Sequence, residues 1–188
     1  MLQDLARPGK GAFGMIRFAA LLVAAGLVLG GCYISRGQLL DPVAARQPIP
    51  SGDYESSDGS ARRLTTLQNG WYAQQTKQSG GEWGPRERIL ANSLGRIGGR
   101  DLYVVGAYNQ EVRRYVYAVA AVDGNQFSLS EPDCSKRADA VLAKAWGARR
   151  ETGKDLNDTC SFPSGRALKA ALRAFAARAD FEAPYHRR

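Results

Sequence analysis

Few residues of this chain have side chains suited to catalysis or metal binding. The sequence contains three cysteines, Cys32, Cys134 and Cys160, and one histidine, His186, which lies two residues before the C-terminal Arg188. No CxxC pair accompanies the histidine, so a zinc site is not predicted. Nucleophilic triads need a base, and the chain has no GxSxG, HExxH or GK[ST] motif. The sequence therefore predicts no catalytic residue, no metal ligand and no cofactor.

The first cysteine ends a segment with the three parts of an export signal. Arg17 supplies a positive charge, the apolar run extends from Phe18 to Leu29, and Gly30 and Gly31 precede Cys32. Fourteen residues separate Arg17 from Cys32, whereas a membrane-spanning helix needs about 20 apolar residues. A short positive region, an apolar core and small residues before a cleavage point indicate a secretory signal peptide.

The tetrapeptide Leu29-Gly30-Gly31-Cys32 resembles the lipobox of bacterial lipoproteins. The resemblance covers Met15 to Cys32 and implies that a diacylglycerol is attached to the Cys32 thiol and that residues 1–31 are removed. Translation from Met1 or from Met15 gives the same mature protein. An uncleaved anchor and ordinary secretion are the alternatives. Tyr33 after the lipidated cysteine resembles the class that is passed to the outer membrane, which predicts a cell-envelope protein facing the periplasm.

Export places the other two cysteines in an oxidising compartment, where one Cys134–Cys160 disulfide is the simplest outcome. Residues 32–50 contain three prolines and are predicted to form a lipidated tether, followed by one globular domain over residues 51–188. The whole chain has 26 basic and 18 acidic residues. Without residues 1–31, which hold Arg7, Lys10, Arg17 and Asp4, the net charge is +6.

Short runs rich in Tyr, Val, Trp and Thr predict strands between residues 51 and 130. Asn69-Gly70 is a strong hairpin signal, because both turn positions require φ > 0. Residues 101–108 are expected to pair with residues 113–122. The segment from Tyr115 to Val119 is apolar on both faces and needs cover on both sides. These features predict an α+β fold: an antiparallel β-meander or small curled sheet or barrel, followed by two C-terminal helices.

The two helices are predicted over residues 134–147 and 164–179. In the first, Ala138, Val141, Leu142 and Ala145 recur at helical spacing. The second begins after Ser164, a typical N-cap residue, and carries an apolar stripe of Leu168, Leu172, Phe175 and Ala179. Arg166, Lys169 and Arg173 lie on a different face, either in water or in contact with an anionic surface.

Two functional classes remain open. The first is a non-catalytic envelope module, anchored to the membrane through its lipid, that binds an envelope protein, a cell-wall polymer, an anionic lipid or another amphiphile; aromatic strand residues would line its cleft. The second is a small periplasmic hydrolase whose site is not visible in local motifs. The sequence favours the first class, and nucleic acid is not an expected partner of an exported protein.

Overall fold

A computed structural model describes residues 33–151, 158–181 and 183–188 of the chain. The predicted signal peptide and Cys32 lie outside the described residues. No helix in these three ranges is both long enough and apolar enough to cross a membrane.

The described residues form an α+β fold that is mostly strand, which confirms the predicted class. The two helices are α1 (Arg137–Ala145) and α2 (Gly165–Ala176). The strands, in chain order, are β1 (Tyr33–Ser35), β2 (Gly52–Ser56), β3 (Ala61–Thr66), β4 (Trp71–Thr76), β5 (Glu87–Ile97), β6 (Arg100–Asn109), β7 (Arg114–Asp123), β8 (Gln126–Ser130), β9 (Arg149–Glu151), β10 (Thr159–Ser161) and β11 (Tyr185–Arg187).

Eight of these strands pair in a closed circuit. The strands β2 to β8 form six successive antiparallel pairs, from β2 with β3 to β7 with β8. The short strand β11 then pairs with both β8 and β2, which returns the pairing to its start. β1 lies along the first half of β7 and carries β10 and β9 beyond it. Ordinary hairpins account for the circuit up to β8, and its closure depends on the C-terminal residues.

The turn between β3 and β4 has the conformation that its sequence predicts. Asn69 has φ 59° and Gly70 has φ 78°. The strands on either side pair with Thr66 opposite Tyr72. Positive φ at two successive positions is tolerated by Asn and Gly and disfavoured for other residues, so the local sequence determines this hairpin.

Two hydrophobic cores share the central strands. One lies inside the circuit and includes Tyr54, Leu64, Tyr72, Val105 and Phe127. The other lies between the outer side of β5 to β7 and the two helices. In β7 every residue from Val116 to Ala121 is buried, because alternate side chains enter opposite cores. The predicted cover on both faces is therefore confirmed, with the circuit interior on one side and helices on the other.

Both helices lie within their predicted ranges; the buried face predicted for α2 is confirmed, and the one predicted for α1 is wrong. Ser164 caps α2 by accepting a hydrogen bond from the Ala167 amide at 3.3 Å, and the predicted stripe is buried at Leu168, Leu172 and Phe175. In α1, Val141 is exposed and the buried residues are Asp139 and Ala143. Asp139 is buried because it is paired: it accepts the Asp133 amide at 2.8 Å and forms an ion pair with Arg178.

The predicted tether over residues 32–50 is wrong for the part that the structure describes. Tyr33 is fully buried within β1, and Leu40 and Ile49 are buried further along the segment. Residues 36–50, named the strap, cross the outer side of β5, where Asn92 donates to the Asp41 carbonyl and accepts from the Asp41 amide at 3.0 Å each. Prolines keep the strap irregular, but Leu40 and Ile49 bury against the domain, whereas Val43 between them is exposed.

Candidate ligand-binding cavity

A small apolar cavity lies inside the closed circuit. Six consecutive strands and the strap line it, through Ile49, Leu64, Gln74, Ile89, Val105, Gly106, Ala120, Phe127 and Leu129. The cavity volume is about 30 Å³. One water molecule requires roughly 10–15 Å³ of such volume. As folded, the cavity admits a narrow group of a few atoms.

The strap closes one side of the cavity through two buried tyrosines. The Tyr72 hydroxyl donates to the Ile49 carbonyl and accepts from the Ile49 amide, at 3.0 Å in each case. Tyr54 donates to the Pro50 carbonyl at 2.8 Å. Burial raises the pKa of Tyr72 to about 12, so its hydroxyl keeps its proton at neutral pH and can make both bonds. Ile49 is the one lining residue that comes from the strap.

Four polar side chains on the inner face of β3 to β5 form what we name the polar cluster: Arg62, Gln74, Thr76 and Glu87. Arg62 is two residues from Leu64 and shares its face of β3, and it pairs across the strands with Thr76. Gln74 pairs with Leu64 on one side and with Glu87 on the other. Strand alternation therefore directs all four toward the circuit interior. Gln74 lines the cavity itself, so the cluster adjoins the cavity at that residue.

Several buried atoms of the polar cluster have no hydrogen-bond partner among the residues that the structure describes. These atoms are Arg62 Nε and Nη1, Gln74 Nε2 and Thr76 Oγ1. Gln74 is only 4% exposed. An unsatisfied buried polar group costs about 1–3 kcal/mol, and more if it is charged. Native proteins rarely retain several such atoms at one place without a reason.

Within the described ranges, no ion pair balances the charges of Arg62 and Glu87 in the polar cluster. Arg62 lies over the Tyr185 ring, 5.1 Å from its centroid. Burial raises the pKa of Glu87, and the positive charge of Arg62 opposes that rise. The guanidinium thus influences Glu87 at a distance while its Nε and Nη1 remain unpaired. The cluster presents a partly buried cation with donor atoms available.

The outcome differs between the two predicted cysteine sites, the lipidation site and the disulfide. Cys32 lies outside the described residues. The predicted disulfide is confirmed, with Cys134 and Cys160 bonded and their Cα atoms 6.2 Å apart. It joins the approach to α1 to β10, in the core beneath the helices.

The three predicted basic residues lie together. An open groove, named the basic groove, is lined by Leu39, Gly165, Arg166, Lys169, Ala170 and Arg173, with no acidic side chain among the lining residues. Arg173 is also structural, because its Nε donates to the Leu94 carbonyl at 2.9 Å and holds α2 against β5. Arg166 and Lys169 are the two cations of the groove that make no such structural contact within the described part of the chain.

Sequence reasoning missed the polar cluster and the cavity. The available signal was alternation: Arg62 is two residues from Leu64, and Gln74 and Thr76 follow Tyr72 at the same period. Using this alternation to find the site requires knowing which face of each strand points into the circuit. No protein-family model, curated protein sequence or solved structure matches this chain.

Proposed function

We propose that this chain is a membrane-anchored cell-envelope lipoprotein whose domain is a non-catalytic binding module for a small amphiphile. One observation carries the binding proposal: an apolar cavity, enclosed by consecutive strands, adjoins buried polar atoms that find no partner in the described part of the chain. Binding sites commonly combine an apolar lining with a few placed polar groups.

The circuit of pairings supports the finer interpretation of the sheet as a small barrel. Eight-stranded closed sheets have interiors that are filled by side chains or hold one small ligand. Here most inward positions are apolar, and β7 contributes only small residues, Ala118 and Ala120, to the middle of the interior. The interior is close to full, and the remaining space lies against Ala120.

Uptake of anything larger than a few atoms requires Ile49 to move. Ile49 belongs to the strap, whose backbone at Ile49 and Pro50 forms hydrogen bonds with the hydroxyls of Tyr72 and Tyr54. Ile49 belongs to no strand, whereas every other lining residue lies in a paired strand. The strap side of the circuit is therefore the proposed entrance.

The lipid anchor remains a proposal that rests on Arg17, the apolar run and Leu29-Gly30-Gly31-Cys32. Successive Cα atoms are 3.8 Å apart, and Tyr33, the residue after Cys32, is the first residue of β1 and fully buried. A lipid on Cys32 would therefore hold the domain against the membrane surface with no spacer. The disulfide is in keeping with an oxidising compartment such as the periplasm.

Metabolic labelling with a fatty acid tests the anchor. We expect label in the wild-type protein and none in Cys32→Ser. Equal labelling of the two would refute lipidation at this cysteine.

The basic groove supports anionic lipid as a second contact of the anchored domain. We expect weak binding to anionic vesicles that declines with salt, because screening shortens electrostatic range from about 10 Å at 0.1 M to about 3 Å at 1 M. The pair Arg166→Gln and Lys169→Gln should weaken it, while Arg173 is kept because it holds α2. Co-sedimentation that is unchanged in the double variant would mean that the groove is only a solvated face.

Octanol titration tests the cavity without involving charge. The protein for this test is the chain from residue 32 with Cys32→Ser, since every described strand, both helices and both cores lie after that residue. Burying about five methylene groups at about 0.8 kcal/mol each gives about 4 kcal/mol, a dissociation constant near 1 mM. Amide shifts in NMR spectra report affinities in this range.

Two variants should change octanol binding in opposite directions. Ile49→Ala enlarges the cavity and should strengthen binding, whereas Ala120→Val fills it and should weaken binding. Ala73→Val, a buried alanine of β4 outside the cavity lining, is the matched control and should leave binding unchanged. No shifts in any of the proteins, or equal shifts in Ala120→Val, would contradict the binding proposal.

A further inference from the structure

We propose that the polar cluster selects ligands with an anionic head group, a carboxylate or a similar oxyanion, whose apolar part occupies the cavity. The inference rests on the proposed function, because it assigns the chemistry of one end of the same site. The inference depends on two neighbouring side chains. Arg62 has two buried nitrogens without a partner among the described residues. Gln74 is buried, lacks such a partner at Nε2 and forms part of the cavity wall.

The unpaired atoms define the chemistry of the missing partner. A guanidinium has donors only and cannot lose its charge at physiological pH. Arg62 therefore requires acceptor atoms, and its planar fork matches the two oxygens of a carboxylate or phosphate. The Gln74 amide can present either a donor or an acceptor, so it adapts to the oxyanion. An ammonium group would place a second cation beside Arg62 and is disfavoured.

Position along the strands makes the two parts of the site continuous. Gln74 is opposite Leu64 on β3, and Leu64 is two residues from Arg62 on the same face. A ligand with its chain against Leu64, Ile89 and Val105 would bring its head past Gln74 toward Arg62. The Tyr185 ring already borders the guanidinium, and the ring limits the space on that side.

Glu87 is the competing anion of the cluster. It pairs with Gln74 across β4 and β5 and is half-buried. Its carboxylate does not engage Arg62 Nε or Nη1, since both nitrogens lack a hydrogen-bond partner among the described residues. A ligand oxyanion would be repelled by an ionised Glu87 and attracted by Arg62. Replacing Glu87 with a neutral isostere should therefore strengthen binding of an anion.

Three probes with one chain length separate head recognition from apolar uptake: octanoate, octanol and octylamine. On the chain from residue 32 with Cys32→Ser, we expect octanoate to bind at least about tenfold more tightly than octanol, a difference of about 1.4 kcal/mol, and octylamine to bind most weakly. In Arg62→Met the advantage of octanoate over octanol should fall close to one. Arg63→Met is the matched control: Arg63 is the next residue, lies on the opposite face and pairs with Asp53 at 2.7 Å, so its loss should keep the advantage.

The outcomes distinguish this inference from the proposed function. Equal binding of octanoate and octanol in the wild type overturns head-group selection and leaves the cavity intact as an apolar site. Binding of none of the three probes contradicts the proposed function itself. If Arg62→Met fails to fold, Glu87→Gln serves instead: it should raise the octanoate advantage, and an unchanged or lower advantage overturns the inference.

Discussion

Replacing Tyr33 with alanine tests whether the segment after Cys32 is part of the domain or a tether. Tyr33 is fully buried, its ring lies 4.8 Å from that of Phe162, and its hydroxyl donates to the Asp139 carbonyl at 3.0 Å. Truncating a buried aromatic side chain to alanine costs about 3–5 kcal/mol. In a domain of this size each kcal/mol lowers the midpoint of thermal unfolding by roughly 2–4 °C. We therefore expect a decrease of roughly 6–20 °C in Tyr33→Ala.

The assay is thermal unfolding followed by circular dichroism, on the chain from residue 32 with Cys32→Ser. Val43→Ala is the control from the same segment, because Val43 is 91% exposed, and exposed substitutions usually change stability by less than about 0.5 kcal/mol. A midpoint in Tyr33→Ala within about 2 °C of the wild type, less than 1 kcal/mol on this scale, would refute the packing of β1 and restore the tether.

Three further changes probe separate parts of the fold. Replacing Cys134 and Cys160 with serine should destabilise the domain by about 3.5 kcal/mol in the chain-entropy model, measured by urea unfolding with and without reductant; no loss would mean that the bridge is not formed. Gly106→Ala should cost about 1–3 kcal/mol, because its Cβ would meet the Tyr117 ring at 2.9 Å and Leu40 Cδ1 at 3.0 Å. Gly37→Ala, with nothing within 4 Å, should change stability by less than about 1 kcal/mol, and similar effects of the two would contradict the close packing at Gly106. Burial raises the pKa of Glu87, so the folded state holds this proton more tightly than the unfolded state and is destabilised once the group ionises. Glu87→Gln should be more stable than the wild type at pH 7, and the difference should shrink as pH falls through the pKa of the folded state; a difference independent of pH would refute this reasoning.

Features of the fold that are local in sequence could be predicted. Asn69-Gly70 determines its turn through φ alone, and Ser164 caps α2 through a side chain three residues from the amide it accepts. Burial of β7 on both faces followed from the absence of a polar face between Tyr115 and Val119. In each case the physical cause lies within a few residues of its effect.

Features that depend on distant pairing could not be predicted. The strap has apolar residues without helical or strand periodicity, so only its contacts with Asn92 and Tyr72 show that it is packed. β11 is three residues long and closes the circuit by pairing with strands more than fifty residues away. Burial of Asp139 depends on Arg178, which lies 39 residues along the chain. The polar cluster is visible only after β3, β4 and β5 are in register.

The most direct test of the central claim is to locate the alkyl chain of bound octanoate in the protein. Intermolecular NOEs from the methylene protons of octanoate can be measured on the chain from residue 32 with Cys32→Ser. We predict NOEs to the side chains of Leu64, Ile89 and Val105, inside the circuit. NOEs confined to exposed apolar residues such as Val43 and Trp146, with none to the interior, would contradict it.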